Sequence, residues 1–449
     1  MILRANPAPT RRDRAAEPGP WRPMTNFQRS MYRWSTWHPY YAASIVEIDG
    51  PVDLARLRSA VAGALAATGA AGVEVDAGER CYRFVDSPRA PDVESVALEE
   101  GSTRAFERWI STEMNRMVPR DGRFPVRVRL CEVGPRSFIV HLFDHWIGDG
   151  WALCCLVDAV FRRYLGLPGE AETPRAGPGA PDLREALPDE YRLRRRLRLA
   201  VESVRALRRL RTCYCPARGD RFDLTAAMRF CPVPDDALDR LAACGRARGA
   251  SVNDVLLAAA LEAADAAAPE RLDQPRRRDL AAASVSSFRP LAQGRLDRPE
   301  GLYLGYFHVF PRGLRPDRFE DLVDCVRVQT APVKAARTHF RAEWELGCAL
   351  WTSRWTREAE GRRQILNNNP VAVGVSNTRM PPGRLASELF PPLRSVWFAV
   401  SPGPTAPLVI HATSVDNQVK VTFNWRLTAY DEEAIDRATT AFQRRIEGL

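Results

Sequence analysis

Lysine is nearly missing from this sequence, although basic residues are plentiful. Of the 65 basic residues in 449, only Lys334 and Lys420 are lysines, and the formal net charge is +10. This preference for arginine, together with abundant Ala, Gly and Pro, is typical of a GC-rich coding sequence. The charge therefore does not by itself indicate a nucleic-acid-binding protein. What it does indicate is a mild attraction to acidic partners, including phosphate-bearing cofactors and acidic carrier proteins.

Signals for disulfides, zinc, secretion and membrane spans are also missing. The ten cysteines form no Cys-x-x-Cys pair and have no histidine at metal-ligand spacing, so no zinc site is implied. No run of roughly 18 apolar residues is present to span a membrane. The N-terminal segment lacks the apolar core of a secretory signal. We therefore expect a cytoplasmic protein with reduced thiols and no metal.

The length of the chain predicts two globular domains. With 45% hydrophobic and 9% aromatic residues, it can bury substantial cores. A strand, a turn and an acidic-capped helix recur in both halves, which indicates two similarly built α/β domains, although this unit is common. The predicted divisions are a disordered segment at 1–23, a first subdomain at 24–165, a linker with a basic helix at 166–215, and a second subdomain at 216–449.

Residues 191–211 predict a strongly basic helix. Its apolar members recur at spacings of three and four and are expected to dock on the body of the protein, with the arginines outward; they are Leu193, Leu197, Val201, Val204 and Leu207. The basic face has two interpretations. It is either a solvated face in an arginine-rich protein, or a landing surface for an acidic carrier protein or a membrane.

The stretch FIVHLFDHWIGDGWAL, residues 138–153, holds two of the six histidines. It predicts a buried strand followed by a helix, which would hold His145 rigidly at the boundary. A neutral imidazole there could accept a proton from an attacking nucleophile. His141, within the strand, is predicted to be a buried, hydrogen-bonded histidine, and so are His308 and His411 in other apolar runs.

Residues 144–150 read Asp-His-Trp-Ile-Gly-Asp-Gly and resemble the His-His-x-x-x-Asp-Gly signature of the chloramphenicol acetyltransferase-like acyltransferases. That superfamily includes condensation domains, wax ester synthases and mycobacterial polyketide-associated acyltransferases. Further segments resemble it in order over roughly residues 24–449. They are ASVNDVLLAAALEAA with Asn253, SVSSFRPL with Arg289, and VGVSNTRMPPG with Ser376 and Asn377. The Asp-Phe-Gly-Trp-Gly motif of the plant-type branch is absent.

The resemblance implies an α/β fold of two chloramphenicol acetyltransferase-like subdomains. Their mixed sheets and helices would form a V-shaped pseudo-dimer with a central channel. The implied activity is transfer of an acyl group from a CoA or carrier-protein thioester to a small-molecule alcohol or amine, in secondary metabolism or lipid assembly. We expect a monomer with no tightly bound cofactor. We expect no nucleic acid, because no recognisable module for it is present.

The resemblance also assigns roles to residues. His145 would be the general base, and Asp149 would point away from it and pair with Arg289, which fixes the loop. Gly150 would allow close backbone approach, and the helix that follows would aim free N–H groups at the developing oxyanion. Supporting roles fall to Asn253, Ser376 and Asn377.

Asp144 stands where the superfamily has its first histidine. Neighbouring side chains in a strand point to opposite faces, so Asp144 is not expected to touch the ring of His145. Two alternatives follow. Either the change is tolerated because the first histidine is a supporting residue, or it marks a catalytically silent protein that binds a carrier protein or a partner enzyme.

Overall fold

The fold is described from a computed structural model of the chain. The residues that it describes are 18–87, 89–98, 102–167, 182–216, 219–220, 222–274, 276–296, 301–311, 318–353, 355, 370–380, 384–385, 392–403 and 405–449. Residues 168–181 of the predicted linker lie outside the described part of the chain, and so do residues 1–17.

The described residues form eleven α-helices with short 3₁₀ turns between some of them. In chain order the helices are α1 (Asn26–Trp37), α2 (Leu54–Ala67), α3 (Thr103–Met114), α4 (Gly150–Leu165), α5 (Leu183–Ala186), α6 (Leu193–Leu210), α7 (Ala237–Ala247), α8 (Val252–Ala267), α9 (Phe319–Ala335), α10 (Arg341–Thr352) and α11 (Glu432–Glu447).

The same residues form fourteen strands. They are β1 (Arg22–Pro23), β2 (Tyr41–Asp49), β3 (Gly72–Val75), β4 (Cys81–Val85), β5 (Asp92–Ala97), β6 (Val126–Val133), β7 (Arg136–Asp144), β8 (Ala226–Cys231), β9 (Ala282–Ser287), β10 (Leu304–Val309), β11 (Val373–Arg379), β12 (Leu393–Val400), β13 (Leu408–Val415) and β14 (Gln418–Arg426).

Two mixed sheets and one small sheet organise these strands. The first large sheet has the order β12-β2-β7-β6-β5, and the second has the order β10-β9-β11-β13-β14-β8. In the first, β2 and β7 are antiparallel, while β5 and β6 are parallel. In the second, β11 is parallel to both β9 and β13. Strands β1, β4 and β3 form the small sheet.

Strand β12 joins the two halves of the chain. It comes from the second half but pairs with β2 at the edge of the first sheet. Its Phe398 also bonds to the second sheet, accepting from the Thr422 hydroxyl at 2.7 Å and donating its N–H to the Thr413 hydroxyl at 2.9 Å. The predicted boundaries assign all of 216–449 to the second subdomain, and they do not anticipate this crossing.

The first core is built from amphipathic helices over a sheet. Asp53 caps α2 by accepting from the N–H groups of Ala55 and Arg56, as its place before an apolar-periodic run predicts. The apolar faces of α2 and α4 share one buried cluster, with Leu57 and Val61 from α2 and Val157 from α4. Each such buried side chain contributes roughly 1.5 to 3 kcal/mol, so this packing stabilises α4 against α2.

The second core surrounds α8, which is buried along nearly its whole length. Ser251 and Asp254 form a capping box at its start, and Lys334 from α9 adds an ion pair to Asp254 at 3.0 Å. Because α8 is apolar on all sides, it can lie between the second sheet and the outer helices α7, α9 and α11.

The structure differs from the sequence predictions on where the folded chain begins and on which face of α6 docks. The folded chain begins before Met24, because Arg22 and Pro23 pair with β4 and Gly19 donates its N–H to the Phe84 carbonyl at 3.0 Å. Residues 18–23 are therefore ordered, although the segment 1–23 is predicted to be disordered.

The second difference concerns α6. It docks through Leu199, Ala206 and Leu210. Of the side chains predicted to dock, Leu193, Leu197, Val201 and Val204 are exposed, and Leu207 is half-buried.

Candidate active site

The segment 144–150 connects β7 to α4, as the pattern of the sequence predicts. The last residue of β7 is Asp144, and a single 3₁₀ turn, His145–Ile147, follows it. The backbone N–H of His145 donates to the Tyr40 carbonyl at 2.8 Å, which ties the turn to the start of β2. His145 is thus held by backbone contacts on rigid elements.

The His145 ring is buried and lines the large cavity described below. Its Nδ1 lies 3.2 Å from the Gly148 carbonyl oxygen, and the Tyr40 ring stacks on it with centroids 5.8 Å apart. A carbonyl only accepts, so in the neutral ring Nδ1 carries the proton and Nε2 keeps its lone pair.

Burial lowers the pKa of His145 below its ordinary value, with the Gly148 carbonyl and the Asp149 carboxylate opposing the shift. The ring is therefore neutral at neutral pH and can accept a proton.

Asp149 and Arg289 form a buried, two-pronged ion pair. Arg289 Nε lies 2.9 Å from Oδ2 of the carboxylate, and Nη2 lies 3.0 Å from Oδ1. The carboxylate also caps α4 by accepting from the Ala152 N–H at 3.0 Å, and it accepts from the Tyr303 N–H at 3.2 Å. Arg289 donates further to the carbonyl oxygens of Leu296 and Gly301. Both charges are thus fully hydrogen-bonded, as buried charges require.

Gly150, the first residue of α4, lies against β11. A Cβ at this position would lie 3.0 Å from Oγ1 and 3.3 Å from Cγ2 of Thr378, so a larger residue would require Thr378 to move by a few tenths of an ångström. Gly150 and Trp151 both line the cavity. In the described part of the chain, the backbone N–H groups of these two residues donate to no acceptor. A helix N-terminus with free N–H groups is suited to stabilise negative charge.

Asp144 lies away from the cavity. It is buried, and one of its carboxylate oxygens has no hydrogen-bond partner among the described residues. Burial raises the pKa of Asp144 to about 7, while Arg120 and hydrogen bonds with Ser35 and Trp146 oppose the rise. Asp144 is not among the residues that line the cavity with His145, so its place in the motif does not bring it to the cavity.

The cavity has a volume of about 1280 Å³ and is lined by residues of both large sheets. One wall carries His145 and the start of α4, and another carries β9, β11 and β13. Helices α1, α6 and α10 enclose it further out. A cavity of this size exceeds the roughly 300 to 1,000 Å³ of common small-molecule sites, so it can admit a long or branched substrate.

Ser376 and Asn377 on β11 also line the cavity. Asn253, at the start of α8, does not line it; its amide donates to the hydroxyl of Ser284, a lining residue, at 3.2 Å. The structure therefore brings Ser376 and Asn377 to the cavity with His145. Asn253 contacts a residue of the cavity wall, Ser284, but does not reach the cavity itself.

His411 was missed as a site residue. It lies beside Ser376 in the register of β11 and β13, and it lines the cavity. Its ring is buried, stacks on Phe398 with centroids 5.9 Å apart, and has no protein partner for either nitrogen among the described residues. Burial lowers the pKa of His411 to about 3, and the proximity of His145 adds to the shift. The prediction of a hydrogen-bonded histidine was wrong.

The other two predicted structural histidines differ from each other. His141 is buried away from the cavity, and its ring nitrogens lack protein partners within the described chain. His308 lines the cavity but accepts at Nδ1 from the Arg341 guanidinium at 2.7 Å. Of the two, only His308 is hydrogen-bonded as predicted.

The described residues contain neither a candidate membrane span nor a candidate metal site. No helix among them is long and apolar enough to cross a membrane. No group of three or more His, Cys, Asp or Glu side chains among them is arranged to hold a metal ion.

No family profile matches this sequence, and neither does any curated protein. Solved structures do match its fold. The first condensation domain of the CDA synthetase has a TM-score of 0.63 at 17% identity and covers 96% of this chain and 96% of its own. The condensation domain of the Monacolin K polyketide synthase MokA has a TM-score of 0.64 at 12% identity, covering 96% and 97%. The EpoB NRPS cyclization-docking bidomain of Sorangium cellulosum reaches 0.66 at 14%, covering 97% and 87%.

The chain therefore has the condensation-domain fold over nearly its whole length. Condensation domains belong to the chloramphenicol acetyltransferase-like superfamily, so the resemblance is confirmed at the level of the fold. The predicted architecture of two α/β subdomains in a V is confirmed with it. At these identities the likeness shows fold alone, and function must be argued from the site.

Proposed function

We propose that this protein is a condensation-like acyltransferase with His145 as its general base. It moves an acyl group from a thioester, carried by CoA or by the phosphopantetheine arm of an acidic carrier protein, to a hydroxyl or amine. The observation that carries the proposal is the placement and hydrogen bonding of the His145 ring. It faces a large cavity, its Nδ1 proton is engaged by the Gly148 carbonyl, and its Nε2 is left as an acceptor.

In the proposed reaction, Nε2 of His145 takes the proton of the acceptor O–H or N–H as that atom attacks the thioester carbonyl carbon. The carbonyl oxygen becomes an oxyanion, and the N–H groups of Gly150 and Trp151 are placed to stabilise it. Collapse of this intermediate breaks the C–S bond. The departing thiolate then receives the proton from the imidazolium, which restores the neutral ring.

Asp149 and Arg289 contribute by holding the loop. The carboxylate is saturated by the guanidinium and two N–H groups and caps α4, so it holds both the helix start and the preceding turn in place. Its contacts leave it no free lone pair aimed at a substrate. We therefore assign Asp149 a positioning role, and the same role to Arg289.

The test is release of free thiol from a panel of acyl-CoA and acyl-carrier substrates in the presence of alcohols and amines. His145→Ala should lower kcat by about 10² to 10⁴, the usual worth of a general base, with no fall in melting temperature. Near-wild-type turnover in the folded variant would overturn the role of His145.

The alternative is a condensation-like protein that binds a carrier protein or partner enzyme without chemistry. Asp144 in place of the first histidine is the observation that favours it. Binding of an acylated carrier by the purified protein, with no thiol release for any acceptor in the panel, would establish this alternative.

A further inference from the structure

Helix α6 exposes a continuous ridge of aliphatic side chains. Their exposed fractions are 70% for Leu193, 61% for Leu197, 50% for Val201 and 48% for Val204. At 3.6 residues per turn these four positions fall on one side of the helix. We call these four side chains the α6 ridge. Solvated helices rarely present such a row to water, so the ridge marks a site of interaction.

Arginines flank the ridge on one side of the helix. Arg194, Arg198 and Arg205 occupy that flank by helical periodicity, and all three are exposed. Arg205 pairs with Glu202 at 2.8 Å, whereas Arg194 and Arg198 make no ion pair in the described part of the chain. Whatever covers the ridge must therefore offer an apolar layer and negative charge side by side.

The other flank of the ridge borders the cavity. Ala200, Ser203 and Leu207 of α6 line it, and Ala200 is also exposed, so the cavity reaches the surface along this helix. On α10, Cys348 and Ala349 are likewise exposed lining residues. The ridge is thus continuous with the mouth of the cavity.

Tryptophans lie near the same mouth. Trp351 is 60% exposed and follows Cys348 by three residues, which makes the two neighbours on the surface of α10. Trp355, just beyond α10, is 79% exposed. Exposed tryptophan is typical of surfaces at the boundary between lipid and water.

We propose that the α6 ridge and its flanking arginines bind the surface of an anionic lipid bilayer. A convex row of aliphatic side chains beside arginines can enter the boundary between headgroups and acyl chains, with the guanidinium groups at lipid phosphates. Bound this way, the protein presents the mouth of its cavity to the lipid. This inference goes beyond the proposed acyl transfer and does not depend on it.

The test is co-sedimentation of the full chain with vesicles. We expect binding to mixed phosphatidylcholine–phosphatidylglycerol vesicles, weaker binding to pure phosphatidylcholine, and loss of binding as salt rises. Leu197→Ser with Val201→Ser should weaken binding by at least about tenfold, because each side chain loses its transfer into the apolar layer. Arg194→Ala with Arg198→Ala should weaken it by about tenfold or more on anionic vesicles only.

A matched control is Leu272→Ser with Val328→Ser. It removes the same pair of residue types at similar exposure, 56% and 60%, outside α6. Vesicle binding should be unchanged in this control, and the far-UV spectrum and melting temperature should be unchanged in all of these variants.

Several outcomes would overturn the proposal. They are no binding to any vesicle, equal binding to neutral and anionic vesicles, and equal loss in the control and the ridge variant. Ridge-dependent self-association, or ridge-dependent binding of an acidic carrier protein without vesicle binding, would assign the surface to a protein instead. The vesicle experiment measures binding and the acyl-transfer test measures thiol release. Failure of the membrane proposal therefore does not count against the proposed acyl transfer.

Discussion

Asp149 and Arg289 lie 140 residues apart in the sequence and meet as a buried, two-pronged ion pair, 2.9 Å and 3.0 Å across its two contacts. One charge comes from the turn before α4 and the other from the segment after β9. The pair therefore fastens the loop that holds His145 to the second half of the chain.

Loss of either partner should lower the free energy of unfolding. Asp149→Ala and Arg289→Ala each leave one buried charge without its counter-ion, which should cost about 3 to 5 kcal/mol. The double variant should cost less than the sum of the two, because each single change already breaks the same contact. Denaturant unfolding of the four proteins of this cycle measures the coupling. Additive losses would show that the two charges do not interact.

Local elements of this fold could be predicted from sequence because their causes are local. The apolar run before His145 and the apolar periodicity after Gly150 specify β7 and α4, and Asp53 marks the start of α2. The pairing of Asp149 with Arg289 was reached only through resemblance. A contact across 140 residues depends on the whole topology, and no local pattern encodes it.

The docking face of α6 and the exposure of His411 to the cavity also depend on distant segments, so local patterns could not predict them. Periodicity shows that α6 has apolar residues on its surface, but not which of them meets the body, since Leu199, Ala206 and Leu210 repeat at compatible spacings. His411 lies in an apolar run typical of a core strand. Whether a strand residue faces a packed core or a cavity depends on the opposing wall, which here is built from distant segments.

Asp144 should make the stability of the protein depend on pH. Its folded pKa is about 7, above the ordinary value of 3.8, because of burial. A carboxyl group with a raised folded pKa favours folding when it is protonated. That contribution is complete below pH 3.8 and is lost as the pH rises to about 7.

Asp144→Asn removes this titration while keeping the shape of the side chain. The melting temperature of the variant relative to wild type should therefore rise between about pH 4 and 7 and then level off. The corresponding gain in the free energy of unfolding is at most about 4 kcal/mol. Thermal unfolding over this range measures it. A difference that is constant with pH would show that Asp144 is not buried as a titrating acid.

Gly150→Ala should disturb the start of α4. The added methyl group would lie 3.0 Å from Oγ1 of Thr378, and relieving that contact should cost roughly 1 to 3 kcal/mol and displace the turn that holds His145. Adding Thr378→Ala removes both crowding atoms and should restore stability and turnover. Gly63→Ala is the control, since its methyl would meet only the flexible Arg163 side chain at 3.5 Å and should stabilise α2. Failure of the Thr378 change to rescue would place the strain elsewhere.

The pH profile of turnover should reflect the lowered pKa of His145. A general base is active while neutral, so kcat/KM should fall only as the pH drops below the ordinary histidine value of 6.5. The measurement is the rate of thiol release across the acid range for the free enzyme. In His145→Gln, the residual rate should lack this acid limb. An acid limb above 6.5, or one that survives in the variant, would assign the proton transfer to another group.

His411 provides a test that separates binding from folding. Its two ring nitrogens are buried without protein partners in the described chain, and such groups cost roughly 1 to 3 kcal/mol. His411→Phe removes them and should raise the melting temperature. If a polar group of the substrate bonds to His411 in the cavity, the same change should raise KM or lower kcat by about fivefold or more.

His141→Phe is the matched control for His411. The ring of His141 is also buried and unpartnered among the described residues, but it does not line the cavity. Its replacement should raise the melting temperature and leave turnover unchanged. Equal turnover for wild type and His411→Phe would show that the His411 imidazole does not contact the substrate. A loss of turnover in both variants would show instead that the damage comes through the sheets and not through the cavity.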